Sequence, residues 1–434
     1  MPERLLSLIP GVERDGWRKL IGHRHFFSMR RVTTLEQSAC GVRESMLKKS
    51  DDGSLALSVA ERIVPLDRAR TSITLLVVLY HSVINYTHFG IGGDRMRWIG
   101  FDGVALFCDS FFMACMFLIS GLFVHDSLAR RGASNYLAGR AWRLGVPYLV
   151  SIFVIMPIAY YRYYHTELSF AGFYRHMVDV GPWSPGSSWF LLVLLAFDLI
   201  AALLWIAAPR AISSLGRRVA ALAERPLTAF AAFLACSVLV YLPLHLSFGD
   251  SSWLTAGHYP LVIQTSRILL YTGYFLLGVV VGSAGLDRGL LAEGGGPAKH
   301  WGLWLTVALL LYAAIIALVY VHHSGLIELR KPPLWWQTAY GLVFALFCAA
   351  MTFTLPAICL RFARSKARLL DAMQPSAYGI YLLHFIPLIW LQYIIAQPPL
   401  PAFVKFLIVF TGTLSVSWTA TLLLRRIPAV ARMI

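Results

Sequence analysis

About ten stretches of this chain, each roughly 20 residues long, carry almost no charge, and a stretch of that length is long enough to cross a bilayer as a helix. They lie near residues 70–88, 104–126, 144–162, 188–208, 227–247, 260–284, 301–322, 336–358, 376–395 and 401–424. The 434 residues are 58% hydrophobic and 14% charged, well below the charged quarter of an ordinary soluble domain. The expected fold is therefore all-α: a polytopic membrane protein of about ten transmembrane helices.

The net charge of +16 invites a nucleic-acid reading, but its distribution argues for topology instead. With ten spans, 30 of the 38 Lys and Arg residues fall on the side that holds both termini, and eight on the other. That is the positive-inside asymmetry, so both termini are expected to be cytoplasmic and no nucleic acid is expected as a partner.

Residues 1–60 read as a separate basic cytoplasmic segment, disordered or, at residues 16–31 (GWRKLIGHRHFFSMRR), lying on an anionic membrane surface. Residues 61–434 read as one membrane domain with short loops and no repeat at a fixed period. None of the six cysteines forms a CxxC pair, and five lie in or beside apolar spans as small buried hydrophobes. No HExxH, Walker loop or EF-hand pattern appears, and no metal is expected.

The first span holds the most informative pair. Residues 71–80 (TSITLLVVLY) separate Arg70 from His81 without a charge. Eleven helical steps return to within about 20° of the starting direction and climb about 16 Å. Arg70 at the membrane edge and His81 near its centre thus share one helix face. A lone apolar-face histidine is often a hydrogen-bonded core residue, but an ionisable group at that depth is a functional candidate by default. Burial disfavours the imidazolium, leaving a neutral ring able to accept a proton, as a general base must. An arginine below such a base suits an elongated anionic ligand with a reactive end. Coenzyme A has that form, with phosphates for guanidinium groups and a pantetheine arm of about 15–20 Å. Arg140 and Arg143, before the third span, would complete the clamp or serve only as topology signals.

Other polar residues inside the spans have two readings each. Asp109 and Ser110 satisfy free N–H groups near a helix end, and Ser120–Gly121 form a packing face. Asp198, near mid-depth, orients a histidine or makes a structural hydrogen bond, and Arg267 sits nearer the outer surface. His384 lies at a depth similar to His81, so the two would define one cavity; Tyr381 shares its face.

Together these segments resemble the acyltransferase-3 superfamily of integral membrane acyltransferases. The resemblance rests on Leu66-Asp67-Arg68-Ala69-Arg70 with its spacing to His81, on Phe117-Leu118-Ile119-Ser120-Gly121, on Arg140-x-x-Arg143-x-x-x-Pro147 and on Trp189-Phe190-Leu191. The Ser376-to-His384 block and Leu424-Arg425-Arg426-Ile427-Pro428 look like the family's last two spans, so about residues 62–430 are covered. The combination is most similar to the branch that includes periplasmic glucan succinyltransferases. The resemblance implies transfer of an acyl group, acetyl or succinyl, from cytoplasmic acyl-CoA to a hydroxyl of an extracytoplasmic glycan or other carbohydrate. Such a protein sits in the bacterial inner membrane and modifies the cell envelope, for instance by O-acetylation. His81 would be catalytic, with Asp198 and His384 as further catalytic candidates and Arg70, Arg140 and Arg143 binding the donor. Two other classes fit the composition: a transporter or flippase with a proton-coupled His81/Asp198 site, and a membrane sensor or scaffold in which His81 is freely replaceable.

Overall fold

The computed structural model describes residues 59–434 except 90–93, 165–166, 182, 256–261, 287–288 and 325–331. The basic segment 1–60, its surface-seeking stretch and Cys40 lie outside the described residues, apart from Val59 and Ala60. Arg62–Ile434 form one compact unit.

The helices follow in order: α1 (Val59–Val83), α2 (Ile99–Leu122), α3 (Val124–Arg140), α4 (Val146–Val150), α5 (Met156–Tyr164), α6 (Phe170–Asp179), α7 (Trp189–Ala207), α8 (Pro209–Ala221), α9 (Pro226–Phe248) and α10 (Ile268–Gly282). After them come α11 (Gly296–Lys299), α12 (Trp301–His323), α13 (Leu334–Arg361), α14 (Arg368–Met373), α15 (Ala377–Leu383), α16 (Phe385–Ile394), α17 (Ala402–Leu424) and α18 (Pro428–Ala431). One antiparallel ribbon, Trp253–Thr255 with Val262–Gln264, is the only sheet among the described residues. This is the expected all-α polytopic membrane protein.

Among the described residues eight helices are long and apolar enough to cross a membrane, and a bent pair makes a ninth. Ten spans were expected from the sequence. The first is the exception: α1 has the length, but Asp67, Arg68 and Arg70 interrupt its apolar run. The expected span at 376–395 is not straight, because its two halves bend by 61° at His384. Pro387 supplies the reason: it has no N–H for the turn before it, and its ring clashes with that turn's carbonyl. The third span is longer than expected, its helical stretch running over Val124–Tyr161 with a kink at Gly132, whose φ of 71° is non-helical. It passes through two π-helical segments, Ala141–Gly145 and Ser151–Ile155.

The tightest packing joins α2 and α10. A side chain at Gly121 would overlap the carbonyl oxygen of Phe275, and one at Gly278 or Gly282 would overlap that of Leu118 or Leu122. Gly121 is thus a packing residue, as the small-residue pattern suggested. Around this seam Phe117 packs its ring on Phe190, Phe197 and Tyr271.

Polar groups beyond the far end of α9 are paired. Arg267 donates to the Asp109 carboxylate at 2.6 Å and lies over the Phe344 ring, so Asp109 holds an arginine rather than capping a helix. Asp250, in the turn after α9, is pushed up by burial but pulled down further by hydrogen bonds from His245 and Ser266 and by the Arg267 charge, ending at about 2. These bonds pin the ribbon to the bundle.

Gly278→Ala should cost at least about 1–3 kcal/mol, because the added methyl meets backbone that cannot move aside. Thermal unfolding in detergent micelles reads this as a lower midpoint; an unchanged midpoint would mean that the two helices separate freely.

Candidate active site

The N-terminal half of α1 carries two arginines two residues apart, with opposite fates. Arg68 is buried and fully bonded. It donates to the carbonyls of Phe362, Ala363 and Ser365 and, through two nitrogens, to the Asp371 carboxylate. Carbonyls past the C-terminus of α13 have no helical partner, and a guanidinium there satisfies them and complements the helix dipole. Arg70 by contrast is one-third exposed. Its guanidinium lies over the Phe123 ring, with its carbon 4.3 Å from the ring centre, and reaches Asp67 only at 3.5 Å.

Arg70, Arg140 and Arg143, separated by some 70 residues of sequence, line one cavity of about 440 Å3. Arg140 is held by a buried carboxylate: its Nε and Nη2 donate to Asp198 at 2.7 and 3.1 Å, and the Tyr136 hydroxyl donates to the same group. Asp198, with no exposure at all, therefore orients an arginine and not a histidine. Arg143 follows through the π-helical segment. The carbonyl of Arg143 accepts from Tyr378 at 2.6 Å, where Pro147 has no N–H to bond back to the preceding turn. Ser120, Tyr378 and Tyr381 also line the cavity, so Ser120 is a wall residue beside the packing glycine.

The two histidines meet, as equal depth implied. The rings of His81 and His384 lie 5.3 Å apart, and Phe385 stands edge-on against both at 5.0 and 5.1 Å. Nδ1 of His81 is 2.9 Å from the Val77 carbonyl, and Nδ1 of His384 is 2.7 Å from that of Tyr381. A carbonyl only accepts, so each Nδ1 carries the hydrogen. Each neutral ring then keeps its Nε2 lone pair, and the buried Nε2 of His384 has no hydrogen-bond partner among the described residues. Two in-plane bases side by side in an apolar shell can take a proton from a substrate hydroxyl. The bend at His384 aims this ring: on a straight helix its position would belong to the lipid-crossing rod, whereas here it is the joint.

The histidines do not line the arginine cavity. Tyr381 stands between the two: it forms part of the cavity wall, its ring lies 6.1 Å from that of His384, and its hydroxyl donates to the Ser187 carbonyl. Gln392 of α16 donates to the backbone carbonyl of His81 at 2.9 Å and fastens the two histidine-bearing helices together. Sequence reasoning assigned Tyr136 and Gln392 no part. Tyr136 had a signal, four residues before Arg140 on the same face, whereas nothing local marks Gln392. Among the described residues no three His, Cys, Asp or Glu side chains gather as a metal site would need.

A helical membrane bundle that sets guanidinium groups at one end of a helix and unprotonated imidazole nitrogens deep along it has the parts of a group-transfer enzyme. A family model described as an acyltransferase domain, that of the acyltransferase-3 family, matches residues 64–422, and the chain belongs to this family. It is an integral membrane acyltransferase. No curated protein and no solved structure matches it significantly.

Breaking the Asp198 site should separate two costs. Asp198→Asn removes the charge that holds Arg140 and should destabilise the fold by about 3 kcal/mol. Tyr136→Phe removes one neutral donor and should cost about 1 kcal/mol. Equal losses on thermal unfolding in micelles would mean that Arg140 contributes little to holding the carboxylate.

Proposed function

We propose that this protein moves an acyl group, acetyl or succinyl, from cytoplasmic acyl-CoA to a hydroxyl of an extracytoplasmic carbohydrate. The observation that carries the reading is the common cavity of Arg70, Arg140 and Arg143, set on the helix face that holds His81 about 16 Å further along. That distance matches an extended pantetheine arm, so phosphates at the arginines bring a thioester to the histidines. The positive-inside asymmetry supports a cavity open to the cytoplasm, with both termini on that side, in a bacterial inner membrane.

In this reading the arm passes Tyr381 to reach the histidine pair. Nε2 of His81 takes the proton of the acceptor hydroxyl as its oxygen attacks the thioester carbon. The new C–O bond forms, the C–S bond breaks, and the departing sulfur receives the proton back from the imidazolium. His384 presents the second free Nε2 beside the first and is the catalytic partner. In a two-step variant Nε2 of His81 attacks the thioester itself and hands the acyl group on. Asp198 acts through Arg140, holding it for the donor.

The test is mass spectrometry of periplasmic and surface glycans from a deletion strain complemented with wild type or with His81→Ala at equal membrane levels. An ester mass shift with wild type alone is expected, corresponding to a rate loss of about 100-fold to 10,000-fold for removing the base. A shift that survives the substitution would remove His81 from the chemistry. Intact-mass measurement after incubation with acyl-CoA alone distinguishes the two routes, since only an acyl-histidine leaves covalent mass on the protein.

A further inference from the structure

The arginine cavity has a fourth guanidinium that the donor-binding set above leaves out. After α17, Arg425 donates to the Pro375 carbonyl and two turn hydrogen bonds, Arg426 to Leu423 and Ile427 to Leu424, reverse the chain. α18 then leads residues 432–434 into the cavity wall, with Ile434 packed against the hydrophobic core. Arg432 arrives there exposed and lines the cavity together with Arg70, Arg140 and Arg143.

The four guanidinium groups differ in what already holds them. Arg140 is bonded to Asp198, and Arg70 is stacked on Phe123 and within reach of Asp67. The guanidinium groups of Arg143 and Arg432 make no hydrogen bond or ion pair with any described residue. Four arginine side chains and one carboxylate side chain, Asp67, line the cavity, a side-chain balance of +3 (4 − 1) that suits an anionic ligand.

We propose that Arg432 binds the 3′-phosphate of the donor's nucleotide; the assignment rests on the acyl-CoA reading given above. Coenzyme A carries its ribose 3′-phosphate at the end farthest from the sulfur, with the diphosphate between. A thioester at His81 puts the diphosphate about one arm's length back, at the level of Arg70. The 3′-phosphate then lies beyond, outside the Arg70–Arg140 pair. Arg432, exposed on the wall that residues 432–434 add, supplies a planar pair of donors there for phosphate oxygens. Arg432 would thus be a specificity-determining residue, separating the phosphorylated nucleotide from its dephosphorylated form.

The experiment is titration calorimetry of the full-length protein in lipid nanodiscs with acetyl-CoA, succinyl-CoA and the 3′-dephospho form of each. Wild type is expected to bind the 3′-phosphorylated donors about tenfold more tightly than the dephospho ones, the size of one charge-assisted contact. Arg432→Gln should lose that preference while binding the dephospho donors as wild type does, and Arg432→Lys should keep part of it. Discrimination that persists in Arg432→Gln would overturn the assignment while leaving the donor reading intact. Loss of dephospho-donor binding as well would overturn it differently, by making Arg432 a structural residue. Wild type that binds none of the four donors would refute the acyl-CoA reading and the Arg432 assignment with it.

Discussion

A carbonyl that loses its helical partner inside a bilayer cannot turn to water, so every proline in a span obliges the structure to provide something else. Three such obligations build this site. In the π register that puts the Val146 N–H on Ala141, Pro147 deprives the Trp142 carbonyl of its donor. At the next carbonyl, that of Arg143, Tyr378 donates and joins the arginine-bearing span to the helix preceding His384. In the π register that puts the Met156 N–H on Ser151, the next donor would be residue 157 on the Ile152 carbonyl. Residue 157 is a proline, and Trp183 donates to Ile152 instead, at 3.0 Å. For Pro387 no such substitute donor appears among the described residues; there the helix breaks, and His384 becomes the joint. Side chains that repair one span are thus the side chains that tie it to its neighbours.

Charges in the bundle obey a similar rule. Desolvating a guanidinium or a carboxylate costs several kcal/mol, so each must find enough partners to offset it. Arg68 bonds through all three of its guanidinium nitrogens, and Lys405 bonds Asp94 at 2.8 Å and the Ala396 carbonyl at 2.9 Å. Arg267 bonds Asp109 through both terminal nitrogens and leaves only its Nε without a partner among the described residues; all three act as fasteners. Arg143 and Arg432 are exposed, so they keep water and make no such bonds with the described residues, and both line the same cavity. The difference between a structural and a ligand-ready cation lies in what surrounds it, since Arg68 and Arg70 sit in one motif on one helix.

That difference is why the sequence was legible only in part. Hydropathy gave the helical bundle, because the bilayer allows few alternatives, and helical spacing placed Arg70 and His81 on one face. Similar depth suggested that His81 and His384 lie together, and their rings are 5.3 Å apart. The bend at His384 was missed although Pro387 stands three residues on, because an apolar window averages over proline. The partner of Asp198 was missed because pairing between α3 and α7 depends on how two helices pack, which no local pattern encodes. Arg432 read as one more cytoplasmic cation, since only the fold shows the chain turning back after Leu424 to the cavity.

Arg70 and His81 are joined by a single uninterrupted helix, and such a connection works as a graduated ruler. One residue more or less between them would shift the histidine by only about 1.5 Å but swing it about 100° off the shared face. Phase returns only after three or four residues, a change of about 5 Å. The reach from the arginines to the base therefore cannot drift gradually. It is quantised in helical turns, and a relative built for a donor of different length would have to jump a whole turn while keeping every contact at both ends.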